Sequence, residues 1–359
     1  MTITLFAEAL RNRAGIERMT VELANLLVDK YVVRILLIDP FDPDSCPFVI
    51  DPRIKVLSMN SSFSKSFSPI KGLNVRNIKH LRNLLKVDMP DVLITVATPL
   101  VRISAPAIIG LGIRHITWEH FNLYAGSRTG SWYKMLVPWL VDATVVLTKA
   151  DAEDYRAVYA PRIYEIPNFT SIGKYEPSKC ERKIVLAVGR HAPQKGFDLL
   201  IKAWARTKAD GWKLRIVGSG DDKPAHMKLA EDLGGTDRIE FMEATPDIAH
   251  EFQSASCFVL SSRFEGLVLV LIEAKMMGLP CISFDCPNSP REVIRDGVDG
   301  ALVPAEDVEA LSEILAGALQ DPEKLKKMGK YAREDALKRY SPEAVVEQWI
   351  RLIESKEIV

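Results

Sequence analysis

The chain has 359 residues, 47% hydrophobic and 26% charged. That is a globular composition, excluding disorder, and a length that predicts two domains rather than one core. Basic and acidic side chains balance at 47 each, so no overall field draws the protein to nucleic acid.

The balance hides an asymmetry: residues 1–180 carry five more basic than acidic side chains and residues 181–359 the reverse, so the halves face different partners. Cys46, Cys180, Cys257, Cys281 and Cys286 are odd in number and lack a paired spacing, which points to reduced thiols. Cys281 and Cys286 have no second pair or clustered histidine to complete a metal site. Without a run of about 18 apolar residues there is no membrane span to expect. Met1 to Phe6 runs straight into a strand-like segment, so a cytoplasmic location is expected.

Taken in order, Ile3–Ala7 reads as a buried strand and Gly15–Leu27 as a helix with Met19, Leu23, Leu26 and Leu27 on one face. Strands follow at Val32–Ile38, Val92–Val96, Arg114–Thr117, Ala143–Leu147 and Ile163–Ile166. A polar stretch with Gly173, Pro177 and Ser178 then reads as a hinge. Strands resume at Ile184–Val188, Leu214–Val217, Ile239–Met242, Cys257–Leu260, Pro280–Phe284 and Ala301–Val303, and Pro342–Ile358 closes the chain as a helix. Short apolar strands separated by helices indicate parallel sheets. The fold class is therefore α/β, with two doubly wound Rossmann-like units in tandem and ligands expected in a cleft at the carboxyl ends of the strands.

Three segments carry chemistry. In Ser262–Ala274 a strand runs through a polar loop and Gly266 into an apolar helix, whose free N–H groups make a phosphate site. Glu265 precedes that helix. Glu273 should fall about two turns inside it, and a carboxylate there is costly unless hydrogen-bonded. A ribose diol would satisfy it, whereas a solvated helix glutamate with an acid favouring the helix dipole reads equally well. In Gly189–Asp198, Arg190 and Lys195 occupy a loop after a strand, suited to a diphosphate unless they are simply solvated. Leu214–Gly220 ends in the glycine turn Gly218-Ser219-Gly220, which could line a base or merely join a strand to a helix.

Together the Glu265/Glu273 pair, the Gly189-Arg190…Lys195-Gly196 loop, the Val217–Gly220 turn and the Glu292–Gly300 stretch resemble the retaining GT-B glycosyltransferases of family four, in order and spacing across the second half. The resemblance implies that Arg190 and Lys195 hold a nucleotide-sugar diphosphate and that Glu273 binds the ribose. Glu265 would contact the donor sugar, and the amides of Gly266, Leu267 and Val268 would touch sugar and phosphate. Gly189 and Gly218 would line the donor, and no metal or other cofactor is expected. In the first half Gly15 sits where the family has a paired-glycine loop, with Ala14 in place of the first glycine. His120, after the strand Arg114–Thr117, matches a family histidine near the donor sugar and reaction centre. Met242-Glu243 departs from a position where glycine is frequent. The implied domains are residues 1–168 for the acceptor, a hinge at 169–180, residues 181–335 for the donor and a crossing helix at 336–359.

A UDP-hexose or UDP-N-acetylhexosamine is the expected donor, then GDP-mannose, and the acceptor a glycan or polyprenyl-diphosphate-linked glycan of a bacterial surface polysaccharide. A nucleotide-sugar epimerase or a non-catalytic sugar-nucleotide-binding subunit would share the fold. A dehydrogenase lacks its G-x-G-x-x-G after a first strand. Asp42-Pro43-Asp44 reads as a turn more than a metal motif. Ser61–Lys86 is basic and amphipathic, with Arg76, Lys79 and Arg82 among its cations and no acid. It reads either as a sheet-covering helix or as a surface that rests on anionic lipid or meets the lipid diphosphate. On the lipid reading, replacing Arg76, Lys79 and Arg82 by Glu reduces co-sedimentation with anionic liposomes, and unchanged sedimentation excludes it.

Overall fold

The computed structural model describes residues 1–11, 15–61, 75–121, 123, 133–287 and 290–355. They form two compact units, Met1–Asn168 with Val345–Val359, and Phe169–Ala344.

The first unit holds strands β1 (Thr2–Ala7), β2 (Val32–Leu37), β3 (Lys55–Ser58), β4 (Val92–Val96), β5 (Arg114–Trp118), β6 (Ala143–Val146) and β7 (Ile163–Glu165). They make one parallel sheet in the order β3-β2-β1-β4-β5-β6-β7. Ile3 registers against Val33 on one side and Val92 on the other. Helices α1 (Gly15–Leu27), α2 (Val75–Asp88), α3 (Val101–Ile108) and α4 (Lys149–Ala157) accompany the sheet. The apolar run Val-Leu-Ile-Thr-Val of β4 is buried at every position, as a strand covered on both faces requires. Strand β3 was not expected from the sequence. It is a four-residue edge, half-buried, and begins on an exposed lysine, so it has no continuous apolar run to reveal it.

Lys65 and Lys71 of the basic segment, and Ala14, lie outside the described residues. Within α2, Arg76 and Lys79 are exposed and Arg82 is half-buried. Its Nη1 donates to the carbonyls of Ala107 and Ile109, at 2.8 and 2.7 Å, at the end of α3. It satisfies carbonyls that the helix end leaves without partners, and so is committed to the fold.

The second unit has strands β8 (Ile184–Val188), β9 (Lys213–Val217), β10 (Ile239–Met242), β11 (Cys257–Leu260), β12 (Cys281–Phe284) and β13 (Gly300–Val303). They are parallel, in the order β10-β9-β8-β11-β12-β13. Helices α5 (Phe197–Arg206), α6 (Lys223–Asp232), α7 (Ile248–Gln253), α8 (Leu269–Met276), α9 (Pro290–Val293), α10 (Val308–Leu319) and α11 (Pro322–Tyr340) complete it. One apolar core gathers Trp204 and Trp212 with α5, β9 and α10. Another gathers Phe252 and Phe258 with α8.

The last helix, α12 (Pro342–Glu354), returns to the first unit from Val345. Trp349, fully buried, meets Trp118 of β5 edge-on with ring centroids 5.1 Å apart. Arg114 Nη1 donates to the carbonyls of Ile353 and Ser355 at 3.0 and 2.6 Å, and Tyr31 donates to Glu354 at 2.8 Å. Removing the large ring opens a cavity: Trp349→Ala should cost about 3–5 kcal/mol and lower the urea midpoint of the unit that carries β5. An unmoved midpoint would show the helix to be dispensable there.

Candidate functional site

The second unit assembles its candidate residues at the carboxyl ends of β8, β9 and β11. After β8 the chain makes a short 3-10 turn at Pro193–Lys195, and Gly196 at φ 61° turns it into α5. A Cβ on Gly196 would collide with the carbonyl oxygen of Ser261, so only glycine lets this loop lie against the segment that follows β11. The apposition is held by polar contacts as well. Arg263 forks onto Asp198, Nη1 to Oδ1 at 2.9 Å and Nη2 to Oδ2 at 2.8 Å, the bidentate geometry that is both strong and directional. The Arg263 amide donates to Gln194 and the Ser261 hydroxyl to the Lys195 carbonyl, at 2.8 and 2.9 Å.

Lys195 and Glu265 meet inside this frame. The ammonium lies 2.6 Å from Glu265 Oε1, with side chains only 17% and 8% exposed. Ser262 donates to the same oxygen at 2.6 Å and Gln194 to Oε2 at 3.4 Å. Arg190, by contrast, is exposed and makes no side-chain hydrogen bond or ion pair among the described residues. Gly189 lies against the Lys195 stem, 3.2 Å from where a Cβ would be. A Cβ on Gly218 would collide with the Gly189 carbonyl, which explains the glycine at the end of β9.

The helix after Glu265 is shorter than the sequence reading supposed. It begins at Leu269, with Val268 as N-cap and no side-chain cap, so Gly266 and Leu267 belong to a loop. Glu273 therefore stands about one turn into α8 rather than two. It is buried. Glu265, whose carboxylate accepts from Lys195 and Ser262, lies in the loop ahead of α8. The first turn has no side-chain cap, the kind of helix start at which anions bind.

Sequence reasoning missed Lys275, which is completely buried in α8. Its ammonium reaches Asp335 at 2.7 Å and Asp299 at 3.2 Å. This ties α8 to α11 and to the Glu292–Gly300 stretch, and breaking such a buried pair typically costs about 3–5 kcal/mol. A lysine two residues after Glu273 in a helix whose other residues are apolar was the available signal. Glu243 takes Lys223 at 2.6 Å and the Ser219 hydroxyl at 3.0 Å, joining the end of β10 to the glycine turn. Asp42 accepts the Asp44 amide at 3.1 Å, the turn reading of that motif.

His120 and Gly15 belong to the first unit. Gly15 opens α1 and is exposed. His120 is buried, its ring 4.4 Å from that of Trp118, and its Nε2 has no partner among the described residues. Glu119 shapes the turn: its Oε1 accepts the amides of His120 and Phe121 at 3.0 and 2.9 Å, and Thr98 donates to Oε2. Burial pushes the His120 pKa down to about 3, so the ring is neutral near pH 7 and can serve as a hydrogen-bond partner rather than a charge.

Burial also pushes His115 and His191 down to about 4 and lowers His226. Unfolded histidine titrates near 6.5, so the unfolded chain binds more protons than the folded one from about pH 6.5 to about pH 4, and stability is lost as pH falls through that window. Tm in a scanning experiment should accordingly fall steadily from pH 7 to pH 5. A flat or rising Tm would mean that these rings are not neutral in the fold.

Two family profiles divide the chain. The one described as "Glycosyltransferase Family 4" matches residues 13–173 and the one described as "Glycosyl transferases group 1" matches residues 170–335. An uncharacterized glycosyltransferase of Haemophilus influenzae is 31% identical over 360 residues, covering 97% of this chain and 98% of its own. The amylovoran biosynthesis glycosyltransferase AmsD of Erwinia amylovora is 25% identical, covering 97% and 98%. Among solved structures, the lipopolysaccharide outer core galactosyltransferase WaaB in its apo form aligns with a TM-score of 0.80 at 21% identity over 99% of this chain and all of its own, a likeness of fold.

Proposed function

From the premise that the chain belongs to the family 4 glycosyltransferases and has their GT-B fold of two parallel-sheet units, we propose that it transfers a hexose or N-acetylhexosamine, with retention, from a nucleoside diphosphate donor held by the second unit. The observation that carries the reading is the Lys195–Glu265 pair beside an uncapped helix start. An ammonium and first-turn N–H groups supply positive potential for a diphosphate. A carboxylate already oriented by three donors offers an acceptor for sugar hydroxyls.

In this reading Lys195 and Arg190 neutralise the charge that grows on the departing diphosphate, which lowers the barrier electrostatically, without a metal. Glu273 accepts the ribose hydroxyls, and the backbone at Gly266, Leu267 and Val268 lies along sugar and phosphate. Gly189 and Gly218 let the loops approach closely. The acceptor hydroxyl attacks the face that the diphosphate leaves, and a diphosphate oxygen takes its proton. Neither Glu265 nor Glu273 is a base or nucleophile. His120 and Gly15 serve on the first unit, where the acceptor binds.

The acceptor we propose is a glycan, free or carried on a polyprenyl diphosphate, in the building of a bacterial surface polysaccharide. The amylovoran role in AmsD's name supports that class. A UDP-sugar is the favoured donor and GDP-mannose the second. Arg76 and Lys79 remain the candidates for contact with anionic lipid, in a protein working at the cytoplasmic face of the membrane.

A thermal-shift screen of UDP- and GDP-sugars identifies the donor, because tight ligands raise Tm by mass action. With that donor, Lys195→Ala and Glu273→Ala should each cut turnover at least about 100-fold, or about 2.7 kcal/mol. Near-normal turnover in either variant refutes the assignment of that residue.

A further inference from the structure

The donor reading leaves one buried polar pair without a role. His191 directly follows Arg190, and His226 stands in the first turn of α6. They are 1% and 6% exposed, and their Nδ1 atoms lie 2.9 Å apart. Phe197 of α5 and Phe241 of β10 close around them, with ring centroids 5.1 and 6.1 Å from that of His191. Two apolar side chains would fill such an aromatic pocket without desolvating four ring nitrogens. His191 Nε2 in fact has no partner among the described residues.

What a hydrogen-bonded pair adds over an apolar one is direction. A neutral imidazole carries one N–H and one lone pair, so a single proton between the two Nδ1 atoms makes one bond, and a second would set N–H against N–H. That bond orients the His191 ring, and the backbone of the same residue is pinned to the glycine turn. The His191 amide donates to the Ser219 carbonyl at 3.0 Å, and the His191 carbonyl accepts the Asp222 amide at 3.2 Å. The amide of His226 in turn donates to the Asp222 carbonyl at 3.0 Å. The loop after β8, the turn after β9 and the start of α6 are thus closed into one hydrogen-bonded ring of contacts. Arg190, just before His191 in the chain, makes no side-chain hydrogen bond or ion pair among the described residues, so its position depends on this backbone.

We infer that the His191–His226 pair is a positioning device for donor binding, which fixes the Arg190 segment against the Gly218–Asp222 turn so that Arg190 meets the diphosphate of a nucleoside diphosphate ligand. The charges around the pair are Lys223, Asp222 and Glu243 beside His191, and Asp198, Asp222 and Arg263 beside His226. They are of mixed sign, and burial dominates, keeping the rings neutral. The inference rests on the donor reading above.

The test is a double-mutant cycle read by calorimetric titration with UDP and with GDP. His226→Leu should weaken the nucleotide bound by the wild type about tenfold, as should Arg190→Ala, and the double variant should lose little more than either alone, because contacting or coupled sites are non-additive. His226→Asn, whose amide reaches the place of Nδ1, should recover most of the affinity. A second reading comes from the wild type: an imidazole N–H resonance slow to exchange with water should shift on adding UDP or GDP. Independent, additive losses, an unaffected His226→Leu protein, or no protected imidazole proton overturns the inference while leaving the donor reading in place. Failure of the wild type to bind either nucleotide overturns both.

Discussion

The second unit's candidate site depends on two loops that are far apart in sequence being held in one register. The ion pair of Lys195 with Glu265 and the fork of Arg263 on Asp198 do this, over a glycine at residue 196 that alone lets the backbones approach. Because the Lys195–Glu265 pair is mostly buried, its strength is not lost to solvent screening as that of a surface pair would be. The pair aims the carboxylate toward the loop after β8, and α8 begins beyond it, at Leu269.

Around that frame the second unit places its charged groups economically. Lys275 is completely buried and would be prohibitive alone, yet it joins α8 to Asp299 and Asp335. The helix carrying Glu273 therefore cannot shift without breaking buried ion pairs. Glu243 stands where the family often has glycine, and here it takes Lys223 and Ser219, so the departure becomes a further tie on the glycine turn. These contacts belong to this chain's own residues and would not be inferred from the shared motifs.

The first unit relies on a different device. Its histidine strand end is backed by aromatic packing, His120 on Trp118 and Trp118 on Trp349, so a helix from the far end of the chain supports the residue. Glu119 gathers the two amides that follow it and so shapes the turn that presents the ring. Burial keeps this imidazole neutral, and its Nε2 has no partner among the described residues.

The sequence by itself determined the alternation of buried strands and helices in both halves, because strands covered on two faces must be continuous apolar runs. It also determined the residue types in the loops after β8, β9 and β11, since Arg, Lys, Glu and Gly at those spacings are local signals. Strand β3 escaped it, being a short half-buried edge with little apolar character. Tertiary structure alone decided that Arg82 caps the end of α3, that Lys195 and Glu265 are partners, that Lys275 has its counter-charges and that His191 meets His226. Each of these is a contact over 24 residues or more of chain. Periodicity reports which face of one element is buried, whereas charge pairing is set by which elements the fold makes neighbours.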